Sequence, residues 1–106
     1  MSYNVDYHPD ARKDRASLEI SVRKQVERVI CKVAQNPLPK NEGGYGTPLG
    51  NKRGNNLTGL CRIKLLKLGI RIVYKVIRDA EVMRIIVIAA RADDEVYEIA
   101  ADRMEK

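Results

Sequence analysis

The chain has 106 residues and a mass of 12.0 kDa, which predicts a single domain over residues 1–106. Twenty Lys and Arg against fourteen Asp and Glu give a net charge of +6, which favours nucleic acid as the partner over an acidic protein or a membrane surface. No apolar run reaches the length of a spanning helix, and the first ten residues lack the pattern of a signal peptide. We therefore expect a cytoplasmic protein with no membrane partner.

The composition also excludes several kinds of chemistry. His8 is the only histidine, so a ribonuclease mechanism that uses two histidines is excluded. Cys31 and Cys61, with one histidine, cannot supply the usual ligand set of a zinc site, and we expect no metal and no cofactor. Both cysteines lie in apolar segments and are expected to be reduced core residues. Catalysis must then use carboxylates, lysines, arginines, tyrosines or hydroxyls.

The N-terminal third predicts one strand and two helices. Polar and apolar residues alternate over residues 3–7, which is the period of a half-buried strand. Pro9 and Asp10 suit the first turn of a helix. Apolar residues then recur at helical spacing from Val22 to Val33, and the pattern stops near residues 36–37. We expect two helices with a bend between residues 17 and 21.

Residues 37–56 form a long Gly/Pro-rich loop in this prediction, with five of the seven glycines and three of the four prolines. Loops of this length are usually functional or mobile. Gly44, Gly46 and Gly50 do not have the spacing of a nucleotide-binding loop, and no helix pattern follows them. Two basic residues of the loop, Lys52 and Arg53, are candidate nucleic-acid contacts.

The C-terminal half predicts three strands, at residues 60–66, 70–78 and 82–90, and a helix at residues 93–104. The first two strands are joined across a short turn that contains Lys67, another candidate nucleic-acid contact. The third strand is apolar almost throughout and is expected to be buried on both faces. Three acidic residues at the start of the helix suit its N-terminus electrostatically.

The alternation within the first two of these strands predicts how they pair. Their apolar faces must coincide to form a core, because a slip of one residue would bury the charges. The predicted pairs are Leu65 with Ile70, Ile63 with Ile72, and Cys61 with Tyr74. On the reverse face Lys64 then lies opposite Arg71, and Arg62 lies opposite Val73.

The reverse face of this hairpin carries four cations, Arg62, Lys64, Arg71 and Lys75. Charged strand faces are most often simply solvated. Directly opposed like charges destabilise a sheet, however, and neither strand contains an Asp or Glu to offset them. We therefore expect unopposed cations that bind the phosphates of a polyanion.

Arg91 and Tyr97 extend this hypothesis. Arg91 ends the buried third strand, where a charged side chain must reach solvent or a counterion. Tyr97 lies one turn into the last helix, where ordinary packing explains an aromatic residue equally well. Beside a basic face, a phenol also has a chemical use, because neighbouring positive charges favour its ionised form. In that form it can accept a proton from a ribose 2′-hydroxyl.

At these residues the sequence resembles the RelE/ParE superfamily, the toxins of bacterial type II toxin–antitoxin systems. The resemblance spans nearly the whole chain and is most specific at residues 57–65 (LTGLCRIKL), 69–74 (GIRIVY) and 90–97 (ARADDEVY). The chain is most similar to the RelE-like members, which are ribonucleases that cut messenger RNA in the ribosomal A site. The resemblance implies an α+β fold, in which a small, mainly antiparallel, twisted four-stranded sheet carries two N-terminal helices and a short C-terminal helix.

The resemblance also implies roles for five residues in a metal-free reaction. Tyr97 is the general base, Arg91 is a general acid or charge stabiliser, and three cations hold the phosphorane: Arg62, Lys64 and Arg71. Attack by the 2′-hydroxyl would leave a 2′,3′-cyclic phosphate and a 5′-hydroxyl. The implied partners are an acidic cognate antitoxin and messenger RNA in the A site of the 30S subunit. Two alternatives stay open: a ParE-like inhibitor of DNA gyrase, and an inactive RNA-binding module.

Overall fold

The computed structural model describes residues 2–52 and 54–104, so Arg53 and the two ends of the chain lie outside the described residues. In chain order the helices and strands are β1 (Asn4–Tyr7), α1 (Pro9–Ala16), α2 (Ile20–Val33), β2 (Thr47–Pro48), β3 (Asn51–Lys52), β4 (Asn55–Asn56), β5 (Leu60–Leu65), β6 (Ile70–Ile77), β7 (Val82–Ala89) and α3 (Asp93–Met104). No helix among these residues is long and apolar enough to cross a bilayer.

The main sheet has the strand order β1-β7-β6-β5-β2. β1 pairs with β7 in parallel, and the other pairs are antiparallel, so the predicted α+β fold is confirmed. The sheet has one strand more than expected. This fifth strand, β2, comes from the predicted loop and pairs only Thr47 with Arg62 and Pro48 with Cys61. A strand of two residues is too short to show any periodicity, so the sequence pattern does not reveal it.

The two N-terminal helices form as expected. The Nδ1 atom of His8 accepts a hydrogen bond of 3.1 Å from the backbone N–H of Asp10 and so caps α1, in which Pro9 occupies the first turn. The predicted bend lies between Ala16 and Ile20. The buried face of α2 packs its apolar residues against the sheet, and its fully buried members are Val26, Ile30 and Val33.

The predicted pairing of β5 with β6 is confirmed at every position. Lys64 lies opposite Arg71, and Arg62 lies opposite Val73. The apolar face of this hairpin contacts α1 and α2, and its buried residues include Cys61, Ile72 and Tyr74. The reverse face of the sheet carries α3 and a second apolar cluster, which includes Val73, Val96 and Tyr97. The basic face therefore lies on the side of α3.

β7 lies between β1 and β6, and its buried residues lie in the apolar clusters on both faces of the sheet, as its sequence predicts. Its pairing with β6 shifts by one residue, because Val73 pairs with Val87 whereas Tyr74 pairs with Ile85. The residue left over, Ile86, packs with Val87 in the cluster under α3. The bulge therefore places two successive apolar residues on one face.

The second half of β7, after Ile85, extends past the end of β1. Helices α1 and α3 cover the strand edge that is left without a partner there. The backbone N–H of Ile88 donates to Asp14 Oδ2 in α1 at 3.0 Å. Arg103 of α3 donates to the same oxygen and to the Ile86 carbonyl, each at 2.7 Å. These contacts satisfy backbone groups that lack a strand partner, and they hold α3 against α1.

The segment before β5 is more ordered than a plain loop. It contains a turn of 3₁₀ helix (Lys40–Glu42) and a small separate sheet of β3 and β4. The buried hydroxyl of Tyr74 donates to the Pro37 carbonyl at 2.7 Å and ties the segment to the core. One expectation is wrong: Cys31 is exposed on α2, and only Cys61 belongs to the core.

Candidate phosphate-binding site

The hairpin and the last helix bring a group of polar side chains together on the α3 side of the sheet. Alternation along β5 puts Arg62 and Lys64 on this face, and the confirmed pairing puts Arg71 directly across from Lys64. The packing of α3 over Val73 brings Tyr97 to the same place. We call Arg62, Lys64 and Arg71 the basic cluster.

A carboxylate lies at the centre of the basic cluster. Asp93, the first residue of α3, accepts a hydrogen bond from Nε of Arg71 through Oδ1. Its Oδ2 atom lies 3.1 Å from Nζ of Lys64 and 3.9 Å from Nη1 of Arg62. The expectation of unopposed cations is therefore wrong, because the neighbouring helix supplies the counterion that the strands lack.

The environment of Asp93 favours its ionised form. Partial burial raises the pKa of this carboxyl, but hydrogen bonds from Arg71 and Lys64 act in the opposite direction and outweigh it, so the pKa of Asp93 is lowered below its ordinary value. The side chain keeps 34% of its surface exposed. The carboxylate is thus both paired and reachable from solvent.

Tyr97 contributes its ring to the core and its hydroxyl to the basic cluster. The residue is only 4% exposed and packs in the apolar cluster under α3. Its hydroxyl oxygen accepts a hydrogen bond of 2.6 Å from Nη1 of Arg62. The sequence offered two explanations for Tyr97, packing in the core and a hydroxyl beside the cations. The structure shows both.

The structure does not bring the side chain of Arg91 to the basic cluster. That side chain is 60% exposed and pairs with Glu95 at 3.2 Å, one turn along α3. The backbone carbonyl of Arg91, by contrast, accepts a hydrogen bond of 2.6 Å from Nη1 of Arg71. Arg71 therefore joins the segment between β7 and α3 to the hairpin.

The other candidate contacts lie apart from the basic cluster. Lys75 lies opposite Leu60 and Arg84 in the sheet, four residues or about 13 Å along β6 from Arg71. Lys67 is exposed in the hairpin turn, and Lys52 is exposed in β3. The nucleic-acid roles of these residues stay predictions, as does that of Arg53, which is not among the described residues.

Asp93 is the site residue that the sequence pattern missed. The sequence predicts for it only a favourable charge at a helix N-terminus. The pairing of β6 with β7 is the feature that could have indicated the role of Asp93, because Arg71 lies opposite Ala89 at the end of β7. The four residues after Ala89 must therefore pass beside Arg71, and Asp93 is the acidic residue at the end of that short path.

No family model matches the sequence. A curated relative does: the mRNA interferase toxin RelE of Escherichia coli K12 is 30% identical over 107 residues, with 98% of this chain and 99% of the relative covered. The chain belongs to the RelE family of toxins. The mRNA interferase RelE of Shigella flexneri is also 30% identical, with 98% and 99% of the two chains covered.

Solved structures place this RelE-family toxin in the same fold. A mutant of E. coli RelE in the free state superposes with a TM-score of 0.74 at 28% identity, covering 98% of this chain and 99% of that one. The toxin of the intact E. coli RelBE toxin–antitoxin complex gives a TM-score of 0.67 at 25% identity, with 86% and 99% covered. The likeness therefore spans all the elements that build the site.

Proposed function

We propose that this RelE-family toxin is a ribosome-dependent endoribonuclease that cleaves messenger RNA. The observation that supports it most is the convergence of the basic cluster on one carboxylate, Asp93, beside a tyrosine hydroxyl. Three cations that bind two carboxylate oxygens have the donor arrangement that a phosphate needs. The names of the similar proteins, mRNA interferases, supply the class of substrate.

In the proposed reaction the scissile phosphate takes the place of the Asp93 carboxylate. Tyr97 accepts the proton of the ribose 2′-hydroxyl, and the 2′-oxygen attacks the adjacent phosphorus. The bond from phosphorus to the 5′-oxygen breaks, which leaves a 2′,3′-cyclic phosphate, and the 5′-oxygen takes a proton from water to become a 5′-hydroxyl. The basic cluster stabilises the charge on the phosphorane. Arg91 stabilises the charge on the leaving oxygen after its exposed side chain leaves Glu95 and turns toward the cluster.

The hydrogen bond from Arg62 to Tyr97 supports the role of the tyrosine. The guanidinium donates to the phenol oxygen at 2.6 Å, which holds the hydroxyl in one position on the basic face. The same contact fixes the oxygen next to the cations that would hold the phosphate. A general base at this place typically contributes about 10²- to 10⁴-fold to the rate.

The proposed partner is an acidic antitoxin that neutralises the toxin, and the cytoplasm is the proposed location of both. The solved complex of the similar E. coli toxin with its antitoxin supports such a partner. The net charge of +6 favours an acidic one. Co-expression with each neighbouring open reading frame should relieve growth arrest in one case. Arrest that persists with every neighbour would contradict this part of the proposal.

The proposed activity is tested by cleavage of messenger RNA on programmed ribosomes. Tyr97→Phe removes only the hydroxyl, so we expect cleavage to fall about 10²-fold or more while the thermal midpoint stays near that of the unaltered protein. Tyr7→Phe is the matched control, because Tyr7 packs at the other core and lies outside the site. Undiminished cleavage by Tyr97→Phe would remove the general-base role.

Two further variants and one further assay complete the test. Arg71→Ala and Arg91→Ala should abolish cleavage but keep part of the ribosome affinity, because other cations remain. A supercoiling assay on the same preparations examines the gyrase alternative. Gyrase inhibition together with intact messenger RNA would overturn the enzyme proposal.

A further inference from the structure

An open groove lies along the outer edge of β5, next to the basic cluster. β2 covers this edge only at Cys61 and Arg62. Before β2 the chain turns away toward the end of α2, where the backbone N–H of Tyr45 donates to the Asn36 carbonyl at 3.0 Å. The resulting groove has a volume of about 340 Å³, and its lining includes Lys40, Tyr45, Thr47, Arg62, Lys64 and Leu66.

The segment at the wall of this groove is built to present Tyr45. The side chain is 46% exposed although it is a large aromatic residue. The glycines on both sides of it are packed tightly: a Cβ at Gly44 would overlap the Leu38 backbone, and one at Gly46 would overlap the Tyr74 hydroxyl. The backbone is thus anchored on both sides of the tyrosine, and the half-exposed tyrosine belongs to the lining of the groove.

The groove has the electrostatics of an anion-binding surface. Three basic residues belong to its lining, Lys40, Arg62 and Lys64, and no carboxylate among the described residues does. Asp93 pairs with Arg62 and Lys64 from outside the lining. A fourth cation, Lys32, places Nζ 5.5 Å from the centroid of the Tyr45 ring. A pocket with this charge and an accessible aromatic face matches the way proteins bind single-stranded nucleic acid, by base stacking and phosphate contacts.

We propose that this groove binds one nucleotide of the messenger next to the scissile phosphate, with its base stacked on Tyr45 and its phosphate near Lys40. The inference rests on the proposed function, which places the scissile phosphate at the basic cluster. Arg62 and Lys64 belong both to that cluster and to the groove, so a strand held at the cluster continues into the groove. The role assigned to the segment before β5 is therefore to extend the RNA-binding surface.

The features of the groove favour RNA over a protein partner. The exposed apolar side chain in the lining is Leu66, at 84% exposure, beside Tyr45. One leucine, one partly buried isoleucine and one tyrosine among three cations make a poor apolar docking surface but a suitable stacking platform. An acidic peptide of the antitoxin is the alternative occupant of the groove, so antitoxin binding is measured for the same variants.

The test measures binding of a fluorescent single-stranded RNA in which every 2′-hydroxyl is methylated, so that it cannot be cleaved. Tyr45→Ala should weaken binding about tenfold, which is within the range found for the loss of one stacked base. Tyr45→Phe keeps the aromatic face and should restore most of the affinity. Lys40→Gln should weaken binding, whereas Lys24→Gln, at an exposed position of α2, should not.

Urea denaturation of each variant verifies that it is folded. Equal affinity of Tyr45→Ala and the unaltered protein would overturn the inference. So would a loss of binding to the co-purified antitoxin with RNA affinity unchanged, because the groove would then be a protein site. Failure of the proposed function looks different: RNA would bind through Tyr45, but messenger RNA on ribosomes would stay intact.

Discussion

At the level of single residues, Asp93 determines how the cations of the basic cluster are arranged and how readily they bind a phosphate. Its carboxylate accepts a hydrogen bond from Arg71 and lies 3.1 Å from the Lys64 ammonium, so the cations are held in place before any phosphate arrives. Without it, two like charges directly across the hairpin would repel each other. The same contacts must be given up to an incoming phosphate. Asp93 therefore stabilises the folded site and competes with the substrate for it.

Asp93→Asn should lower the free energy of unfolding at pH 7 by about 1 kcal/mol, a modest value because solvent screens a partly exposed pair. The pKa of Asp93 in the folded protein is below its ordinary value of 3.8, so its stabilising effect is complete above that pH. It is lost as the pH falls through the folded-state pKa. The difference between protein and variant should therefore shrink from pH 4 downward.

Urea denaturation at pH 7 and at pH 3 measures this difference. Glu98→Gln, at an exposed position of the same helix, is the control for the loss of one acidic charge from α3. A stability difference for Asp93→Asn that stays constant between the two pH values would contradict the assignment of Asp93 as the ionised counterion.

At the level of elements, the hairpin was predictable because both of its strands alternate strictly. Ile63 and Ile72 could share the core face in only one register, and that register fixed Lys64 opposite Arg71. β7 shows the limit of the same reasoning. Its run of apolar residues is buried on both faces, so no alternation revealed that Ile86 is the extra residue of a bulge.

The candidate site was predictable in part for a related reason. The strand residues Arg62, Lys64 and Arg71 follow from the register, and their grouping is confirmed. Asp93 and Tyr45 belong to segments whose positions depend on tertiary packing: the path from β7 to α3, and the turn away from β5. Neither segment has a periodic pattern, so the sequence alone did not assign these residues to the site.

The segment before β5 should be sensitive to a single methyl group at Gly46. Gly46→Ala places a Cβ against the buried Tyr74 hydroxyl and the Cys61 side chain, and we expect a loss of about 1–3 kcal/mol in the free energy of unfolding. Gly50→Ala is the control, since a Cβ there meets no atom within 4 Å. Its free energy of unfolding should change by less than about 0.5 kcal/mol.

Chemical denaturation of both glycine variants measures this contrast. Equal stability of Gly46→Ala and the unaltered protein would show that the segment before β5 shifts to accommodate the methyl group with no loss in the free energy of unfolding. In that case Tyr45 would not be held in a fixed position, and the stacking proposal would lose the rigidity on which it depends.

At the level of the whole molecule, the placement of charge matters more than its sum. The net charge of +6 favours any polyanion, but several cations are already paired with carboxylates on the protein. Arg84 pairs with Asp6, Arg78 with Glu42, and Arg103 with Asp14. The basic cluster shares a single counterion, Asp93, among three cations and continues into the groove beside Tyr45, so RNA affinity should depend on a few positions there.

The salt dependence of RNA binding distinguishes local from overall charge. For single-stranded nucleic acid the logarithm of the binding constant falls with the logarithm of salt concentration by about 0.7 per phosphate neutralised. Lys64→Gln removes a cation of the site and should reduce this slope by about 0.7, whereas Lys24→Gln removes the same charge from α2 and should leave the slope unchanged. Titrations of the uncleavable RNA between 50 and 200 mM salt, roughly the range over which such contacts are resolved, measure both slopes. Equal slopes for the two variants would mean that RNA responds to the overall charge of the molecule, and the basic cluster would then have no special role in binding.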